Sequence, residues 1–290
     1  MMSVFRVFRR SLPGGLVGAL LFALASVDAS AWPFFALDNG VGRGEWTPER
    51  QATTLHELGY DGISYNYTNA QDLKVWLAQL KQNELRLHAL YFGVKLEGEP
   101  TMPDGLEEAI ELLRSSPSTV LWMIMPAASV TADSEERALQ RVRMVADFAA
   151  KAGVRLVLYP HLGCMPATAE QAMALVTKSE RANVGITVNL AHELAAGNGA
   201  RLPEIIRRVA PMLQMVSING ATDQPGALWK NFIQPLGRGD YNVAVLLETL
   251  REVNYTGSIG LQSYAIRGEP RSNLKESMQA WKTLNEKKAP

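Results

Sequence analysis

His161 and His192 are the residues of this chain best placed to move a proton. Each closes a short apolar run, VRLVLYPHLG (154–163) and VGITVNLAHEL (184–194). Histidine is the side chain whose ordinary pKa lets it give and take a proton near neutrality. The ends of the other apolar runs supply amides, hydroxyls and aromatic rings: Asn39, Asn66, Tyr91, Tyr159, Asn189, Asn219, Gln262 and Tyr264. Sugars present apolar ring faces edged by hydroxyls, which neutral donors and acceptors beside aromatic surface suit well. These positions are therefore read as substrate-binding, with turn formation at strand ends as the alternative for several. Lys230, beside Trp229, is a candidate cationic helper; the alternative is a solvated loop lysine.

Other chemically tempting residues read as structural. His56 falls inside a helical pattern, and His88 opens a strand. Trp122, Met123 and Met125 read as packing. Cys164 lies close to His161 but has no partner cysteine. A half-buried small residue is the expectation there, because an exposed reactive thiol fares badly outside the cytoplasm.

The elements that must hold these groups alternate along the chain. Apolar runs at 32–40, 61–67, 86–94, 118–127, 154–163, 184–194, 213–221 and 258–266 are each followed by a helical pattern. In the first, Thr47 suits the N-cap, Pro48 the first helical position and Gly59 the stop. The strand runs are continuously apolar rather than alternating, as in strands covered on both faces. About eight strand–helix units in one uninterrupted stretch predict an α/β fold, a (β/α)8 TIM barrel forming a single domain over 32–290. A doubly wound sheet is the runner-up, but Asp38-Asn39-Gly40 after the first strand is no G-x-G-x-x-G turn. In such a barrel the functional side chains stand at the C-terminal ends of the strands.

Residues 1–31 have the layout of a secretory signal peptide: Arg6, Arg9 and Arg10, an apolar run from Leu16 to Ala25, then Ala29-Ser30-Ala31. The run is roughly ten residues, short of the ~20 needed to span a bilayer. A periplasmic or secreted protein without a membrane segment after cleavage is expected, an uncleaved anchor being the alternative. Lys+Arg and Asp+Glu are equal at 29 each, so no net charge draws the chain to nucleic acid. The oligomeric state is not legible.

LVLYPHLG, GITVNLAHELAAG and WKNFIQPLGRGDYNVAVLLETLREVNYTGSIGLQ carry a recognisable pattern. The chain resembles the xylose isomerase-like TIM-barrel superfamily of sugar phosphate isomerases and epimerases, which also contains endonuclease IV-type repair enzymes. That family's metal is typically held by Glu, Asp, His and Glu from strands 5 to 8. The resemblance places Tyr159, Asn189, Ser217 and Gln262 at those positions. All four are neutral, and Asn219 further along strand 7 is no better a ligand. His192 matches a substrate-contacting position.

No cofactor is therefore expected, although a divalent metal on the two histidines stays open. The implied function is an exported isomerase, epimerase or lyase of a free or oxidised sugar, using His161 and His192 for proton transfer. A non-catalytic carbohydrate-binding barrel is the alternative. A repair nuclease, with its several metals and basic surface, fits poorly.

Overall fold

The structure is a computed structural model that describes residues 32–98, 100–116, 118–127, 131–224 and 226–286. The signal peptide expected over 1–31 lies outside the described residues. Eight parallel strands close in sequence order into one barrel. They are β1 (Phe34–Leu37), β2 (Gly62–Asn66), β3 (Arg86–Gly93), β4 (Val120–Ile124), β5 (Arg155–Leu158), β6 (Val184–Asn189), β7 (Leu213–Ile218) and β8 (Ser258–Leu261). Around them run α1 (Pro48–Leu58), α2 (Ala70–Gln82), α3 (Leu106–Leu112), α4 (Ala132–Lys151), α5 (Ala169–Ser179), α6 (Leu190–Ala195), α7 (Leu202–Val209), α8 (Val243–Glu252) and α9 (Pro270–Glu286). No described helix is long and apolar enough to cross a membrane.

Local chemistry starts the helices where the sequence marks them. The Thr47 hydroxyl accepts from the Arg50 N–H, Pro48 is the first helical residue, and Gly59 closes α1 in the left-handed conformation. Asn69, Thr131 and Thr168 cap α2, α4 and α5 in the same way. Two runs differ from expectation. Run 184–194 is strand only to Asn189, where the chain turns directly into α6, so His192 stands on a helix rather than a strand end. Run 32–40 ends its strand at Leu37 and tightens into a 3-10 turn over Asp38–Gly40.

The interior is filled by Phe35, Leu37, Ala89, Val120, Trp122, Val157, Tyr159 and Met215, with Tyr91 and Ile124 packed against them. A larger apolar layer lies between the strands and the helices and contains Met123 and Met125. Trp122 is fully buried and donates its indole N–H to the Thr187 hydroxyl. His88 stacks on Phe35 with ring centroids 4.7 Å apart and pairs through Nδ1 with Ser258 Oγ at 3.0 Å. Burial pushes His88 down to about 3, so it is a neutral core residue. Gly260 makes room for this packing: a Cβ there would stand 2.6 Å from Phe35 Cζ. His56 is exposed on α1, and Cys164 is buried with its thiol pushed up to about 11.

Candidate functional site

A cavity of about 370 Å³ opens at the C-terminal end of the barrel, within the size range of small-ligand sites. Asn39, Tyr91, Tyr159, His161, His192, Gln262 and Tyr264 line it, as the sequence predicts. Asp38, at the end of the first strand, lines it as well, and Arg43, Ser64, Leu162 and Trp229 do so beyond the residues singled out from sequence.

The two histidines meet. Their ring centroids are 3.9 Å apart, and both rings are oriented by the backbone of Leu162. His161 Nδ1 lies 2.7 Å from the Leu162 carbonyl oxygen, which can only accept, so Nδ1 carries the proton and Nε2 keeps a free lone pair. His192 Nδ1 lies 3.2 Å from the Leu162 N–H, which can only donate, so Nδ1 accepts and Nε2 carries the proton. One imidazole thus offers a base and the other a donor. Burial lowers the pKa of His161. Burial, then the neighbouring His161, lower that of His192 to about 3. Trp229 stacks on the outer face of His192 with centroids 5.1 Å apart.

The floor is Tyr159, whose ring meets those of Trp122 and Tyr91 edge-on. Its hydroxyl accepts from Gln262 Nε2 at 3.1 Å. Gln262 Oε1 in turn accepts from Asn39 Nδ2 at 2.6 Å and from the Tyr264 N–H at 3.1 Å, which fixes the amide's orientation. Gly40 lets the turn after β1 press onto the segment after β8, since a Cβ there would stand 2.3 Å from that of Ser263. Burial raises the Tyr159 pKa, offset in part by the polar side chains of Ser217, Gln262 and Asn189 around its hydroxyl. Of these three, only Gln262 meets the distance and angle of a formed bond. Asn189 Oδ1 and Nδ2 and Ser217 Oγ are buried without a partner.

Five residues singled out from sequence stand outside the lining. Asn189 and Ser217 are fully buried beside Tyr159 and do not reach the cavity lining. The side chain of Asn219 donates to the Gly220 and Phe232 carbonyls at 2.8 and 2.6 Å, tying down the long loop after β7. Lys230 is exposed; the preceding residue, Trp229, is the one that faces the cavity. Asn66 is half-buried, and its N–H donates to Asp38 Oδ2 at 3.0 Å.

Tyr159, Asn189, Ser217 and Gln262 do stand together, as the resemblance places them. They offer a phenol, two amides and a hydroxyl with no charge among them, a donor set that does not fit a divalent cation. Among the described residues no three His, Cys, Asp or Glu side chains gather as metal ligands would.

The family described as xylose isomerase-like TIM barrel matches residues 52–284. A solved D-allulose 3-epimerase from Methylomonas sp. superimposes with a TM-score of 0.71 at 14% identity, covering 88% of this chain and 98% of that one. It has also been solved in complex with D-allulose. A 3-keto-D-glucoside 4-epimerase from E. coli gives 0.70 at 17% identity, covering 87% and 99%. An uncharacterized protein of Methanocaldococcus jannaschii is 29% identical over 129 residues, 44% of this chain. The matched stretch spans only 41% of that curated relative's length.

Proposed function

Because this chain belongs to the xylose isomerase-like TIM barrel family, we propose that its cavity isomerises or epimerises a free or oxidised sugar by proton transfer, without a divalent metal. The observation that carries the reading is the opposed polarity of the two imidazoles. His161 Nε2, with its lone pair free, takes a proton from the carbon beside a sugar carbonyl. The N–H of His192 Nε2 and the Tyr159 hydroxyl donate to the oxygen that gains charge as the proton leaves. Delivering the proton to the former carbonyl carbon, while the hydroxyl proton passes between the two oxygens, gives isomerisation; epimerisation needs a second proton donor on the opposite face of the same carbon.

His192 suits the donor role because its lowered pKa keeps it neutral and directional at working pH. Export to the periplasm or beyond is part of the proposal and rests on the layout of residues 1–31. Fractionation of cells expressing full-length and 1–31-deleted forms tests it, and cytosolic retention of both would argue against export.

The chemical test is wash-in of solvent deuterium. Incubating the protein with a panel of ketoses and keto-sugars in D2O should label the carbon beside the carbonyl of the true substrate, and His161→Ala should abolish the labelling. The neutral character of all four strand-end positions also favours a second reading, a barrel that binds carbohydrate without turning it over. Saturable binding with no labelling by any member of the panel would select that second reading.

A further inference from the structure

We propose that Asp38 and Arg43 form a carboxylate-recognition subsite, so that the sugar taken by this cavity carries an acid group. The inference rests on the sugar reading of the same site and names its substrate class. Arg43 is the one Lys or Arg lining the cavity among the described residues. With both imidazoles held neutral by burial, it is the local source of positive charge.

Its placement is built rather than incidental. Asp38 is 7% exposed, and its Oδ1 accepts from an Arg43 Nη while Oδ2 accepts from the Asn66 N–H at 3.0 Å. A buried carboxylate held on two sides fixes the guanidinium, whose side chain is 44% exposed. The pair is therefore a dipole with its negative end sunk against β2 and its positive end the accessible one. Burial raises the Asp38 pKa, and Arg43 and the Asn66 and Asn39 N–H groups pull it back down.

The remaining N–H groups of Arg43 form the planar fork that matches the two oxygens of one carboxylate. A phosphate dianion asks for more than one such fork, and the lining holds no second fixed cation. The topology then sets the substrate's direction. Asp38 and Arg43 follow β1, while His161 follows β5, four strands away in a ring of eight and thus on the opposite side of the mouth. A sugar acid would lie across the cavity, its carboxylate at β1 and its reacting carbon at β5 and β6. Tyr91 and Tyr159 pave the floor between them.

Binding to the intact protein, measured by titration calorimetry with D-glucuronate, D-glucose and D-glucose 6-phosphate, tests this without relying on turnover. Wild type should bind the uronate about 10- to 100-fold more tightly than glucose, the worth of a charge-assisted pair. Arg43→Gln should erase that preference, and a near-ultraviolet circular dichroism spectrum like that of wild type would show that the fold is intact although the loss of Asp38's partner lowers the melting temperature. Arg43→Lys should recover only part of it, because an ammonium lacks the fork. His161→Ala should keep the preference, which separates this subsite from the proton-transfer reading. Equal binding of uronate and glucose, retention of the preference in Arg43→Gln, or tighter binding of the sugar phosphate would each overturn the proposal.

Discussion

Gln262 and Tyr159 face each other across the barrel mouth, the amide of one donating to the phenol of the other at 3.1 Å. They project from just beyond β8 and β5, and each occupies a position where the family resemblance expects a glutamate. A glutamate at 262 could not donate to the phenol as the Gln262 amide does. The two neutral residues are thus fitted to one another.

That fit predicts indifference to chelators. Turnover or sugar binding by purified protein should be unchanged after exhaustive EDTA treatment, and elemental analysis should find no stoichiometric Zn²⁺, Mn²⁺ or Mg²⁺. One tightly held ion per chain would overturn the metal-free reading.

His161→Ala should lower solvent-deuterium wash-in by about 10²- to 10⁴-fold, the usual worth of a positioned base. His192→Ala should cost turnover by losing a donor but leave the acidic limb of the pH profile where it was. If removing His192 moves that limb instead, the two roles are reversed.

The pH profile follows from His161. Its pKa is lowered from 6.5 by burial, and the neutral form is the base. Activity should therefore stay on its plateau as pH falls through 6.5 and decline only below it. A limb at or above 6.5 in kcat/KM would contradict the assignment.

Stability should respond to acid through the two most strongly shifted imidazoles. His88 and His192 are both depressed to about 3, so the unfolded chain binds their protons first. Their contribution is complete above 6.5 and is lost as pH falls toward the folded values. Each should remove roughly 1.4 kcal/mol per pH unit below that point. Urea titrations between pH 6.5 and 5, above the range of most carboxylates, should register the slope. A flat profile there would mean that one or both rings are wetter than the structure has them.

Gly260→Ala tests the barrel interior. The new methyl group would lie 2.6 Å from Phe35 Cζ and 2.8 Å from Leu37 Cδ1. Overpacking of this kind costs about 1–3 kcal/mol. Loss of less than ~0.5 kcal/mol in urea unfolding would show that Phe35 repacks without strain.

Much of the scaffold was legible because it is local. Continuous apolar runs mark strands covered on both faces, and Thr47-Pro48 with Gly59 brackets α1 as the capping rules require. The convergence of His161 and His192 was legible from their neighbouring runs. What stayed hidden depends on loops. Asp38 and Arg43 are joined by a turn whose shape no periodicity encodes. Trp229 rather than Lys230 faces the cavity because Asn219 and the pairing of Gly220 with Gln234 fold the loop back. The helical start at Leu190 was missed because LAHELA continues the apolar character of β6 without a break.

The Leu162 backbone orients both imidazoles, whereas the residue as a whole is 53% exposed at the cavity rim. Position 162 is thus free to vary in identity without losing its job, since every residue but proline brings the same N–H and carbonyl. Drift or directed evolution could reshape the rim here, altering which sugars enter while the proton-handling pair keeps its tautomers. Few positions touching a reactive centre offer such separable control.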